Sequence, residues 1–320
     1  MSAMSKYSAS ESPVIYCEGK KANMKLTRTA SCSYRAFRTA ILITALSVAA
    51  FGQTSGSPPP EKTAAVYGQN IRYIEAGQGP AVILLHGLGG NKEMWGGNLA
   101  ALASKYHVYA LDQLGFGHSD KPLFDYKIAT WVDSLQGFMQ SQNLPKATLV
   151  GSSMGGWVAT EFAVQHPGMV DKLVLVDSAG LAGKIQGFPA DIKIDLNPST
   201  IAAWRTLLES IFYDKSGVTD ELATHLFMNR MRNNDGYTIE RALAGFAAWP
   251  QLEDDKLKSI HAPTLVIWGR NDELISVERA EKFGSGIHGA KVVVFEQCGH
   301  APPIEKADEF NRALLEFLGK

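Results

Sequence analysis

Short runs of branched apolar residues, each closed by a glycine or a polar cluster, recur along the chain from Thr63 onward. Ala64 to Tyr67 and Ile71 to Glu75 flank the turn residues Gly68-Gln69-Asn70 and predict an opening pair of strands. Ala81-Val82-Ile83-Leu84-Leu85, Val108-Tyr109-Ala110-Leu111, Thr148-Leu149-Val150, Leu173-Val174-Leu175-Val176, Leu265-Val266-Ile267-Trp268 and Lys291-Val292-Val293-Val294-Phe295 follow. Their apolar positions do not alternate with polar ones, as expected for strands covered on both faces. Between them, apolar residues at helical spacing predict helices from about Met94 to Ser104, Trp131 to Gln142, Met154 to Gln165 and Lys306 to Phe317. The alternation predicts an α/β fold with a mostly parallel sheet and helices on both faces.

The strand pattern stops between Gly183 and Ile260. There Ile201 to Phe212, Thr219 to Asn229 and Thr238 to Phe246 carry helical spacing, broken by Asp, Gly and Asn. An insertion between the sixth and seventh strands stands over the carboxyl ends of the sheet, where open α/β sheets bind ligands. The core is thus expected in two parts, 63–182 and 261–320, with a helical cap over 183–260.

The N-terminus has a different pattern. Lys20, Lys21, Lys25, Arg28, Arg35 and Arg38 precede the apolar run from Ala40 to Phe51, and small residues follow. A basic leader, a short apolar run and small residues predict an export signal over 1–52, too short for a comfortable membrane span. An uncleaved anchor is the alternative. Ala50 and Gly52 fit a cleavage site, and Met24 is a candidate start. Residues 53–62, rich in Ser, Gly and Pro, read as a linker. Of three cysteines only Cys298 follows the leader, so no internal disulfide is expected. A net charge of −1 and the lack of a basic stripe argue against nucleic acid.

Candidate chemistry begins at Gly151-Ser152-Ser153-Met154-Gly155, a strand breaking into a helix with Ser153 at the apex. A serine nucleophile needs a base, and the base needs an orienting acid. His300, after the last strand, is the candidate base, and Asp272, after the preceding strand, the candidate acid. Asp177, after the sixth strand, is a rival acid. The order Ser, Asp, His is that of the nucleophile-elbow hydrolases. The oxyanion hole is expected from the backbone N–H groups of Met154, which opens the following helix, and Leu88, in His86-Gly87-Leu88-Gly89-Gly90. His86 is expected to brace that loop. Asp112 and His118 are expected to build a turn beside the pocket, Ser152 to pack, and Ser178 to cap or turn the chain. Trp95, Trp204, Phe227, Met228 and Trp249 are candidates to line an acyl pocket, though their spacing suits core equally. No metal or cofactor site is suggested.

With His86-Gly87, Asp112-Gln113-Leu114-Gly115-Phe116-Gly117-His118-Ser119, the elbow at Ser153, Asp272 and Gly299-His300, the chain from about Thr63 resembles the cap-bearing α/β-hydrolase superfamily. The resemblance implies an eight-stranded sheet and the triad Ser153, Asp272 and His300. Serine at the elbow argues against the dehalogenase and epoxide-hydrolase members, which place Asp there. Leu88-Gly89-Gly90 and Ala301 stand where carbon–carbon hydrolases usually carry Gly-Pro-Gly and a Trp after the histidine. The expectation is therefore an exported serine hydrolase of a small-molecule ester, with water as second substrate and no cofactor. Carbon–carbon hydrolysis, cofactor-free perhydrolysis and a silent small-ligand receptor are the alternatives.

Overall fold

The structure is a computed structural model that describes residues 59–181 and 194–319. The leader expected over 1–52, most of the 53–62 linker and the first part of the cap lie outside the described residues. No helix among the described residues is long and apolar enough to cross a membrane.

Eight strands form one sheet in the order β1-β2-β4-β3-β5-β6-β7-β8. They are β1 (Glu61–Val66), β2 (Gln69–Ala76), β3 (Ala81–Leu85), β4 (His107–Leu111), β5 (Ala147–Ser152), β6 (Val170–Val176), β7 (Thr264–Gly269) and β8 (Lys291–Phe295). Only the pairs β1–β2 and β2–β4 are antiparallel. β1 begins at Glu61, so Glu61 and Lys62 belong to the sheet and not to the linker. Its first residues are polar and exposed, because this edge strand buries little beyond Ala64 and Val66.

The apolar runs divide by pleat. Successive strand side chains point to opposite faces, so Ile83, Leu85, Tyr109, Leu111, Leu149, Leu173 and Leu175 enter one core. Val82, Leu84, Val108, Ala110, Val150, Val174 and Val176 enter the other. Helices α2 (Ile128–Ser141), α3 (Met154–Gln165) and α8 (Glu278–Gly286) cover the first core, through Trp131, Phe138, Trp157, Phe162 and Phe283. Helices α1 (Gly96–Ala103) and α10 (Ala307–Leu318) cover the second, through Leu99, Leu102, Phe310 and Leu314. Between β6 and β7 lie α4 (Ile201–Ile211), α5 (Asp220–Asn233), α6 (Gly236–Gly245) and the short α7 (Asp254–Lys258). A four-residue helix, α9 (Pro302–Glu305), follows β8.

The chain leaves and re-enters the core at one tied point. Leu252 N–H donates to Gly180 O at 2.7 Å, and Leu181 bridges to Leu252. Gly180 has φ +108°, and a Cβ there would stand 2.5 Å from the Trp157 ring. Trp204, Leu207, Leu208, Val218 and Ala223 give α4 and α5 a small core of their own.

Candidate active site

β5 ends at Ser152 and α3 begins at Met154, leaving Ser153 alone between them at φ +53° and ψ −118°. A non-glycine residue in this region is strained, and such strain persists only where its surroundings fix it. Here Ser153 N–H donates to Val176 O at 2.9 Å, and its carbonyl accepts from Gly156 and Ala179, both at 3.0 Å. The flanking glycines are steric necessities. A Cβ on Gly151 would fall 2.2 Å from Gly155 O, and one on Gly155 would fall 2.3 Å from Leu85 O. Met154 opens α3, where the first N–H groups of a helix have no partner within it.

His300 Nδ1 stands 2.7 Å from Asp272 Oδ2. The other carboxylate oxygen of Asp272 accepts from Leu274 N–H at 2.8 Å and Ile275 N–H at 2.9 Å, which fixes its plane. The two loops approach closely because Gly269 has no side chain: a Cβ there would lie 1.9 Å from Gly299 O, while one on Gly299 would fall 2.3 Å from Ile211 O. His300 N–H donates to Ile211 O at 2.7 Å, tying the histidine loop to the end of α4. Glu305 reinforces the tie, accepting from Gly299 N–H at 2.8 Å and from Tyr213 N–H at 2.7 Å. Among the described residues no hydrogen bond links Ser153 to His300; in ligand-free sites such contacts often tighten only with substrate.

Asp177 is fully buried beside this pair, at φ +43°. Its Oδ1 accepts from Gly269 N–H at 2.9 Å, and its Oδ2 has no hydrogen-bond partner among the described residues. Asp177, Asp272 and His300 bring ligand atoms within 4.8 Å of one another. Burial, and then the charge of Asp272, push the Asp177 carboxyl well above its ordinary range. The histidine bond goes to Asp272, while Asp177 stands behind it.

The loop after β3 is held from within. Gly87 O accepts from Gly90 N–H at 3.1 Å and lies 2.7 Å from His86 Nδ1. His86 Nε2 accepts from Gln113 N–H at 3.0 Å, and Gln113 Nε2 returns a bond to His86 O at 2.6 Å. These partners put the single proton of a neutral imidazole on Nδ1. Burial favours that neutral form by lowering the His86 pKa. A Cβ on Gly87 would come within 3.0 Å of Ser153 Cβ, so the loop runs directly against the elbow.

A family profile for the alpha/beta hydrolase fold matches residues 80–307. The chain belongs to the α/β-hydrolase family. It is 32% identical over 262 residues to the 2-hydroxy-6-oxo-6-phenylhexa-2,4-dienoate hydrolase of Comamonas testosteroni, spanning 78% of this chain and 91% of that one. A solved meta-cleavage product hydrolase from Pseudomonas fluorescens IP01 is 31% identical, with a TM-score of 0.73 over 81% of this chain and 97% of that one. A bacterial membrane phospholipase A is 27% identical, with a TM-score of 0.74 over 87% of this chain and 89% of that one.

Around the site, this α/β-hydrolase spends much of its buried charge on scaffolding. Asp112 accepts from Lys92 N–H, Lys92 Nζ and His118 N–H, each at 2.8 Å, and Gly117 at φ +52° lets the chain wrap its carboxylate. Glu61, Asp112 and His118 are close enough to hold a cation. The Lys92 ammonium already lies 2.8 Å from both carboxylates. Burial works against its charge, but Asp112, Glu61 and Glu93 outweigh it and raise the Lys92 pKa. Ser152 is buried, and Ser178 Oγ donates to Ala179 O.

The aromatic candidates separate. Trp95 packs on Phe310 in the core of the other sheet face. Trp249 meets Trp131, Trp157 and Phe246 where the returning cap chain meets the first core. Trp204 lies against Arg230, Phe227 is half-buried in the cap, and Met228 is exposed. Sequence reasoning did not find Gln113, Glu305 or Arg230. Gln113 had the nearest signal, since it follows Asp112 in the glycine-bearing loop.

Proposed function

We propose that this hydrolase cleaves a carboxylic ester of a small molecule through an acyl-enzyme on Ser153. The observation that carries the reading is the 2.7 Å contact of His300 Nδ1 with Asp272, beyond the same ends of the parallel strands that the strained Ser153 follows. Ser153 Oγ attacks the ester carbonyl while His300 Nε2 takes its proton, and Asp272 holds the resulting imidazolium. The N–H groups of Leu88 and Met154 receive the oxyanion. The C–O bond breaks, and His300 protonates the departing alkoxide. Water then repeats the attack with His300 as base, and the acid leaves as Ser153 recovers its proton. A fluorophosphonate should label Ser153, and a panel of p-nitrophenyl esters should show turnover; a folded protein that does neither is the silent receptor instead.

The similarity to dienoate hydrolases favours a second reading, carbon–carbon cleavage with the same residues. That reaction must also protonate a carbon leaving group. Either leaving group takes a single proton, so the support for the ester lies elsewhere: Leu88-Gly89-Gly90 and Ala301 stand where carbon–carbon hydrolases usually carry Gly-Pro-Gly and a Trp after the histidine. Comparing kcat/KM for 2-hydroxy-6-oxo-6-phenylhexa-2,4-dienoate with that for p-nitrophenyl acetate separates the two. Peroxide-dependent acid oxidation tests the perhydrolase alternative. Export by the N-terminal leader is likewise proposed, with the mature chain beginning near Gln53.

A further inference from the structure

Arg230 lies in the last turn of α5, 141 residues along the chain from Gly89, yet its Nη2 donates to Gly89 O at 3.3 Å. Its side chain is 8% exposed and its Nε lies 2.8 Å from Asp235 Oδ1. Nη1 donates to Asn197 Oδ1 at 3.2 Å, and the guanidinium carbon stands 4.9 Å from the centre of the Trp204 ring. Asn234 turns the chain at φ +54°, bringing Asp235 back onto Arg230. Gly89 has φ +68°, and a Cβ there would sit 2.7 Å from Nη2, so only glycine admits the guanidinium this closely. A buried, charged fork therefore grips one carbonyl of the loop that packs on Ser153.

A trans peptide points its C=O and its N–H in opposite directions. The peptide whose carbonyl Arg230 holds, Gly89–Gly90, has at its other end the Gly90 N–H, which donates to Gly87 O at 3.1 Å. The peptide whose carbonyl is thereby held, Gly87–Leu88, has at its other end the Leu88 N–H. Two peptide planes, joined by one hydrogen bond, connect the cap guanidinium to the expected oxyanion donor. His86 Nδ1 braces the joint from the core side.

We propose that Arg230, paired with Asp235, is a positioning residue that sets the direction of the Leu88 N–H through this relay. The cap thus helps to build the oxyanion hole. This rests on the acyl-enzyme reading above. Misdirecting one donor weakens the transition state more than the ground state, so the effect belongs in kcat.

Because Arg230→Met alone strands Asp235 as a buried charge, the decisive variant is R230M/D235N, with Arg230→Lys as the conservative partner. With p-nitrophenyl acetate, R230M/D235N should lower kcat by about tenfold to a hundredfold and change KM by less than about twofold. Arg230→Lys should recover part of the loss. Hydrogen exchange of the peptide covering His86 to Gly90 should quicken in R230M/D235N. Unchanged kcat in the folded variant overturns the proposal, whatever the exchange shows. If the wild type neither turns over esters nor labels at Ser153, the acyl-enzyme reading fails by itself. The exchange arm then decides whether Arg230 holds the loop, and unchanged exchange refutes that too.

Discussion

Replacing Asp272 with Asn tests the assignment of the acid at least cost to the fold. The amide keeps a carbonyl oxygen for the Leu274 and Ile275 N–H groups, now at 2.8 and 2.9 Å from Asp272 Oδ1. It then presents an NH2 to His300 Nδ1, where the carboxylate oxygen stands at 2.7 Å. A donor there forces the imidazole proton onto Nε2, so the nitrogen that must accept from Ser153 is already occupied. It also removes the charge that stabilises the imidazolium. Comparable replacements in serine triads cost about 10⁴ in kcat, which is about 5 kcal/mol of transition-state stabilisation. Steady-state kinetics on p-nitrophenyl acetate should therefore show kcat falling about a thousandfold or more, with KM little changed. The parallel variant Asp177→Asn should stay within about threefold of wild type, since the His300 bond goes to Asp272. Retained activity in Asp272→Asn, with loss in Asp177→Asn, would refute the reasoning and move the acid to β6.

Asp177 makes a separate prediction about stability. Its carboxyl is raised in the folded state by burial and then by Asp272, so its contribution is full below the unfolded value and is lost as pH rises through the folded one. Asp177→Asn should consequently raise Tm more at pH 8 than at pH 4, and equal shifts would contradict the linkage. Lys92→Met strands the fully buried Asp112 carboxylate and should cost about 3–5 kcal/mol in urea unfolding; a loss below about 1 kcal/mol would mean that the charge finds another partner. Cell fractionation with N-terminal sequencing should find a mature chain starting near Gln53, and an intact leader in the membrane fraction would favour the anchor.

Much of the frame is legible in the sequence because burial on both faces leaves a strong local mark. The runs at Ile83, Val174 and Ile267 are apolar at every position and that at Val150 breaks only at Thr148, since each strand feeds both cores. The elbow is legible for a steric reason: Gly151 and Gly155 have no space for a Cβ. The edges are less legible. β1 starts in Glu61-Lys62-Thr63, which is exposed and polar, and α8 buries only Ala280 and Phe283. Neither segment has the apolar density that sets the strand runs apart.

The sequence by itself determined the α/β alternation, the place of the insertion and the order of Ser153, Asp272 and His300. Each of these is written in neighbouring residues or in chain order. Only the tertiary structure decided which carboxylate holds His300, since Asp177 and Asp272 both follow strands and both reach the same corner. It also decided that Arg230 grips Gly89, that Lys92 neutralises Asp112, and that Glu305 joins the histidine loop to the cap. Those partners are brought together by packing across many residues of chain, and a buried charge finds its counter-charge wherever the fold puts it. Periodicity records which face a side chain takes, and it carries no information about the distant group that waits there.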